Sequence, residues 1–346
     1  MARANRRSIG AAAALTLLGY AGASAAEGRV DLPITQTVLP NGDTRYTVPV
    51  TVGDGPPIAA DLDTGSFGLR VLNRALKPDQ FEATDIHRRY AFSGGARFDG
   101  VLARATVGVG SARTERPILF HLVQDVGCVP RQPHCAASKL SADAYGIAGD
   151  GYAGQGFDAI LGISMRRAPT EDSAVNPLTA MGSASWIVVL PRPGSPEPGH
   201  LIIDPDDGDR AGFTSLHLEE QAGGSDAVHG WADGALPGCL VAEAPKQRYC
   251  GKSLLDSGAP GFSVDSATVQ KPTPLGAGIG ATFEIKAEGS RVTVPFTSGG
   301  DWSRRVILHP PGEPGVVRIS AGTLPFFSYA VLYDAKAGTL GFKPRE

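Results

Sequence analysis

Two short stretches of this 346-residue chain carry the residue types that could do chemistry. LDTGSFGLRV at residues 62–71 and LDSGAPGFSV at residues 255–264 follow one template. Each reads leucine, aspartate, a small hydroxyl residue, glycine, a small residue, any residue, glycine, a large apolar residue, any residue, valine. A single Asp-[Ser/Thr]-Gly triplet is commonly a structural turn, because aspartate bonds nearby N–H groups and glycine tolerates positive φ. Here there are two, the only such triplets in the chain, and each leaves one apolar strand and enters another. Asp63 and Asp256 are therefore candidates for paired carboxylates, the residue types of general acid–base chemistry.

The elements that must position them are strands. Glycine (45) and proline (27) are plentiful and charged residues make up only 19%. That composition suits short strands and tight turns better than long helices. YTVPVTV (46–52), IAADLD (58–63), VLARATVGVG (101–110), RPILFHLVQ (116–124), SWIVVL (185–190) and LIID (201–204) read as strands. ATFEIKAEGSRVTVPF (281–296) reads as a hairpin turning at Glu288-Gly289, and SYAVLYD with GTLGFKP as a closing strand pair. NPLTAM (176–181) is a short helix. PRPGSPEPGH (191–200) reads as a hinge, which divides the chain into β lobes at 27–190 and 191–346, each holding one aspartate turn.

With these segments in order, the chain resembles the pepsin-like aspartic peptidases, in a divergent form like that of a bacterial branch. YTVPVTVGDGPPIAADLDTGS is similar to the family's entry into its first catalytic strand. GGARFDGVLARATVGVG is similar to its flap hairpin and the strand after it, and FDAILGIS (157–164) to its Phe-Asp-Gly-Ile-Leu-Gly. AGTLPFFSYAVLYDAKAGTLGFKP matches its closing segment without gaps, so the likeness spans most of residues 43–343.

The resemblance implies a mainly β, two-lobed acid protease fold with a cleft between the lobes and Asp63 and Asp256 at its floor. Like charges that close share one proton. The ionised member would act as general base on a water, and the protonated one would hydrogen-bond the scissile carbonyl. Ile160-Leu161-Gly162 and Ser320-Ala321-Gly322 would pin the aspartate loops from behind. Thr64 and Ser257 would lock the loops across the pair, with Gly65 and Gly258 at the turns, and Ser66 would donate to Asp63. The matching residue of the second turn is Ala259, which has no donor, so the pair is expected to titrate high. No cofactor and no metal are required. The partner implied is a peptide or unfolded protein, cleaved by an endopeptidase acting as a monomer. The alternative is a catalytically weak or inactive peptide- or protein-binding protein on the same scaffold.

The flap is altered. The family's tyrosine position falls on Phe92 in Tyr90-Ala91-Phe92-Ser93-Gly94, and Tyr90 could serve only if the hairpin register slips. Arg70 stands where the family often carries a tryptophan that bonds the tyrosine, so the flap hydrogen bond is expected to be absent. Tyr90, Phe92, Ser93 and Gly94 remain the candidate flap residues.

Arg3, Arg6 and Arg7, the apolar IGAAAALTLLGYAG and Ala23-Ser24-Ala25 together read as a cleaved export signal over residues 1–26. The Arg6-Arg7 pair also fits a twin-arginine signal. The mature protein is expected to be periplasmic or secreted, with no membrane segment after cleavage. In an oxidising compartment Cys128 is expected to pair with Cys135, and Cys239 with Cys250. His134 beside Cys135 raises zinc as a rival, but the spacing matches no standard structural site. A net charge of −3 and no basic stripe argue against nucleic acid. Neither HExxH nor GxSxG occurs. The seven histidines are expected at the surface or in loops. DPDDGD (204–209) misses the EF-hand register, and GAGIGA (276–281) lacks the strand and helix of a dinucleotide loop.

Overall fold

A computed structural model describes residues 28–221, 230–287, 290–313 and 315–346. The expected export signal lies outside the described residues, as does the Glu288-Gly289 turn. Strands dominate, and the described helices are single turns such as Pro177–Ala180, Asp207–Arg210 and Leu324–Ser328. No described helix is long and apolar enough to cross a membrane.

The strands form two sheets, one of 15 strands and one of eight. Each aspartate turn is built the same way. In the larger sheet, Ile58–Asp63 and Phe67–Leu72 flank the first turn, and Ala159–Ile163 runs between them. It is parallel to the first strand, with Gly162 opposite Asp63, and antiparallel to the second, with Gly162 opposite Gly68. In the smaller sheet, Lys246–Leu254 and Phe262–Asp265 flank the second turn. Arg318–Ser320 is inserted parallel to the first and antiparallel to the second. The repeated template is thus a repeated topology, in which a returning strand clamps the base of each turn.

The larger sheet runs across residue 190. Ser185–Val189 and Gly199–Ile203 are antiparallel neighbours, so PRPGSPEPGH connects two strands of one sheet rather than linking two sheets. The closing strands Tyr329–Asp334 and Thr339–Pro344 return to this sheet beside Ser185–Val189. The smaller sheet holds the strands between Leu236 and Ser320. Buried apolar side chains from both sheets form one continuous core, including Leu62, Leu69, Trp186, Phe262, Phe283 and Phe342.

Two expectations need correction, the 101–110 strand and the placement of His121. The 101–110 segment breaks at Thr106 into the end of Ala96–Ala105 and a separate Val107–Val109. The aspartates of 204–209 serve a helix start. Asp206 caps Asp207–Arg210 through the Asp209 N–H, and Asp209 pairs with Arg29 at 2.6 Å. His121 is neither in a loop nor at the surface. It is 2% exposed on Ile118–Cys128, opposite Arg70. Burial and the Arg70 charge hold its imidazole down at about 4, hence neutral. The cysteines pair as expected, Cys128 with Cys135 and Cys239 with Cys250.

Candidate active site

The two turns interlock through their hydroxyl residues. The Thr64 N–H donates to Ser257 Oγ at 3.0 Å, and the Ser257 N–H donates to Thr64 Oγ1 at 2.9 Å. Each hydroxyl then donates onward across the interface, Thr64 Oγ1 to the Leu255 carbonyl at 2.9 Å and Ser257 Oγ to the Leu62 carbonyl at 2.5 Å. Both side chains are shielded from water, where such bonds hold geometry tightly. The result is four bonds related by a pseudo-twofold axis, each joining one turn to the other.

The glycines let the carboxylates close in. A methyl group added at Gly65 would lie 2.3 Å from Oδ1 of Asp256, and one at Gly258 would lie 2.7 Å from Oδ1 of Asp63. Real Cβ contacts do not come so near, so both positions require glycine. Asp63 accepts from the Gly65 N–H at 2.8 Å and from Ser66 Oγ at 2.5 Å. Asp256 accepts from Ser320 Oγ at 3.0 Å and from the Gly258 backbone. Burial, then the charge of Asp63, pushes the Asp256 carboxyl up to about 7, against the opposing pull of Ser320 and Arg166.

The Ser320 contact corrects the expectation built on Ala259. Asp256 does receive a hydroxyl donor, from the inserted strand instead of the turn. Its high pKa follows from enclosure and the facing carboxylate, not from a missing hydrogen bond.

Three ionisable groups with no signal in the sequence surround the pair. Arg45 Nη1 donates to the Gly258 carbonyl at 2.7 Å, and its Nη2 pairs with buried Asp43 at 2.7 Å. Arg166 donates to the Gly65 carbonyl and pairs with buried Asp233 at 3.3 Å. Asp61, two residues before Asp63 on the same face of its strand, is 3% exposed, and its Oδ1 has no hydrogen-bond partner among the described residues. Burial pushes its carboxyl up to about 8, with Asp63 and Asp43 adding to the rise and Arg45 opposing it.

The hairpin of Glu82–Ala91 and Ala96–Ala105 carries the flap candidates, with a register shift between Ala83 and His87. Phe92, Ser93, Gly94 and Gly95 make its turn, closed by the Gly95 N–H donating to the Phe92 carbonyl at 3.0 Å. Tyr90 and Phe92 point to one face. The Arg70 guanidinium lies 3.6 Å from the Tyr90 ring centre and 5.7 Å from that of Phe92. Arg70 thus meets the flap aromatic by stacking over its ring, in place of the hydrogen bond that the altered pair was expected to lack. It is 2% exposed, and burial holds its guanidinium below the ordinary value. A desolvated cation–π contact contributes about 2 kcal/mol. Arg70→Met keeps the stem and removes the charge. Peptide cleavage is expected to lose roughly tenfold in kcat/KM, with thermal stability held or raised because a buried charge is gone. Unchanged kinetics in a folded Met variant would show that the stack does not hold the flap.

No protein-family profile matches the chain, and no curated protein matches it by sequence. Among solved structures it is similar to an aspartic proteinase from Irpex lacteus, at a TM-score of 0.59 and 14% identity. The match covers 92% of this chain and 98% of that one.

The fold is the pepsin-like aspartic proteinase fold.

Within the pepsin-like fold, the paired turns hold Asp63, Thr64, Gly65, Ser66, Asp256, Ser257 and Gly258 in one cluster. The cysteines lie outside it. Cys239 and Cys250 face each other across adjacent strands of the smaller sheet. Cys128 and Cys135 close a loop that reaches the flap turn, where the Val129 N–H donates to the Gly95 carbonyl at 2.9 Å and Gln132 Nε2 donates to the Ser93 carbonyl at 3.1 Å.

Proposed function

We propose that the chain is an exported aspartic endopeptidase: a signal over residues 1–26, then lobes 27–190 and 191–346 that hold a peptide or unfolded protein between them. The observation that carries this reading is the four-bond interlock that sets Asp63 and Asp256 against each other's glycines. At acid to neutral pH the pair holds one proton, which belongs to both groups. The ionised carboxylate takes a proton from a water as its oxygen attacks the scissile carbonyl carbon. The protonated carboxyl gives its proton to the carbonyl oxygen, forming a tetrahedral diol. The carboxyl that took the water proton then gives it to the amide nitrogen, a diol hydroxyl gives its proton to the other carboxylate as the C–N bond breaks, and the pair holds one proton again, leaving an acid and an amine. The two disulfides fit a protein working outside the cytoplasm.

The direct experiment is cleavage of a denatured protein by residues 27–346 between pH 3 and pH 8, with and without a statine-type inhibitor. Inhibitor-sensitive fragments with new termini at internal bonds are expected. An intact substrate at every pH, with the inhibitor still bound, would favour the second reading, a peptide-binding protein. The observation behind that alternative is the flap turn, which is hydrogen-bonded to the disulfide loop rather than free to swing.

The tie itself can be tested. Replacing Cys128 and Cys135 with Ser is expected to lower stability by about 2–3 kcal/mol, the loop-closure value for so short a loop. Amide exchange at Gly95 and Val129 should also quicken, read by mass spectrometry. Exchange as slow as in the parent would show that hydrogen bonds hold the turn without the cross-link.

A further inference from the structure

The two halves of the site distribute their hydroxyl groups differently. In the first half the residue three past the aspartate is Ser66, and its hydroxyl bonds Asp63. The inserted strand there presents Ile160, set between Asp61 and Arg70. In the second half the residue three past the aspartate is Ala259, and the inserted strand presents Ser320, set between Leu254 and Ser263. By the repeated template Leu254 corresponds to Asp61 and Ser263 to Arg70, so Ser320 occupies the place of Ile160. Ser320 Oγ lies 3.0 Å from Asp256 Oδ2.

We infer that Ser320 is a positioning residue for Asp256, a hydroxyl moved from the turn to the strand behind it, where it orients the carboxylate and stabilises its charged form. The inference rests on the peptidase reading, in which Asp256 is half of the catalytic pair. Each carboxylate then has one hydroxyl donor. Asp63 has the Gly65 N–H and Ser66, and Asp256 has the Gly258 backbone and Ser320. The strand is a rigid place for this donor, because it is paired on both edges and tied again by the Ala321 N–H to the Leu254 carbonyl at 2.9 Å. The groups facing Asp256 are Asp63, Arg166, Ser320 and the Gly258 backbone. Of these, Ser320 can be removed without disturbing an ion pair or a cross-turn bond.

The test compares Ser320→Ala, Ala259→Ser, Ala259→Thr and the two doubles that combine Ser320→Ala with each. A lost hydrogen bond to a charged carboxylate raises the pH at which that group ionises. In Ser320→Ala the alkaline limb of the kcat/KM profile is expected to move up by about one pH unit. Restoring a hydroxyl at position 259 should bring it back in at least one double. A structural role alone would change rate or stability and leave the limb in place.

The same titration is followed by carbon-13 NMR on the aspartate-labelled chain, which needs no turnover. If the parent cleaves nothing, the peptidase reading fails, while the NMR shift in Ser320→Ala still decides the role of this hydroxyl. An unmoved limb and an unmoved NMR titration overturn the inference. So does a shift that neither hydroxyl at position 259 reverses.

Discussion

Asp63→Asn and Asp256→Asn are each expected to lower kcat/KM for peptide cleavage by about 10³-fold or more. Asparagine keeps the size and planar shape of the side chain. At position 63 its Oδ1 can still accept the Gly65 N–H while its Nδ2 donates to Ser66 Oγ, and at position 256 its oxygen can accept the Ser320 hydroxyl. The Thr64–Ser257 interlock contains neither carboxylate, so the turns should stay joined. What disappears is the ability to pass one proton between two acids. Because the two groups act as a unit, the double variant should be little worse than either single. The measurement is turnover of a fluorogenic peptide from pH 3 to pH 8, with circular dichroism to confirm folding. Activity within tenfold of the parent in either folded single variant would rule out this pair as the acid–base machinery.

The same interlock shows which parts of the site were legible in the sequence. Asp63, Thr64 and Gly65 with their counterparts Asp256, Ser257 and Gly258 were visible because a turn is local chemistry. Hydroxyl, carboxylate and glycine occupy consecutive positions, and the template repeats. Strand identities were legible for the same reason, through runs such as IAADLD and SWIVVL. The disulfides were legible because each pair lies within a dozen residues.

What stayed hidden is what topology delivers. Ser320 reaches Asp256 across 64 residues because a parallel strand is inserted behind the turn, and nothing in SAG itself announces a donor. Its one signal was a polar residue at the position where the first half has Ile160. Arg45 and Arg166 reach backbone carbonyls of the turns over 213 and 101 residues. Charged side chains in strand sequences read as solvent-facing until the partner is known. His121 lies inside an apolar run and is buried beside Arg70, a placement that composition could not reveal. Tyr90 stacks on Arg70, and the same hairpin shifts register between Ala83 and His87, a bulge that alternation alone cannot locate.

Asp61 lies in IAADLD, where the sequence shows only an apolar strand, and it yields the largest stability effect expected here. A buried carboxyl whose Oδ1 has no partner is held protonated in the fold up to about pH 8. In the unfolded chain it ionises near pH ~4. Between those values the unfolded state gives up a proton that the folded state keeps, so rising pH favours unfolding. The stability that Asp61 contributes is therefore fully present below about pH 4 and is lost as pH climbs through about 8. Buried His121 works the other way. Held down at about 4 in the fold, its contribution is present above ~6.5 and is lost as pH falls through about 4. The two slopes oppose each other over the acid range, so a single stability curve cannot separate them.

Asp61→Asn does separate them. Asparagine does not ionise, and Arg45 keeps Asp43 and the Gly258 carbonyl as partners. The difference between variant and parent should be small at pH 4 and should grow to on the order of 2–4 kcal/mol in favour of asparagine at pH 7. Denaturant unfolding at four or five pH values reads this directly, and the His121 contribution cancels in the subtraction. A difference that does not change with pH would mean that Asp61 ionises alike in both states, its charge carried by Arg45. Below about pH 8 Asp61 carries no charge, so its removal should leave the alkaline limb of peptide cleavage where the parent has it. An unmoved limb here beside a raised one in Ser320→Ala would assign that rise to the direct hydrogen bond on Asp256 and not to a general change at the site.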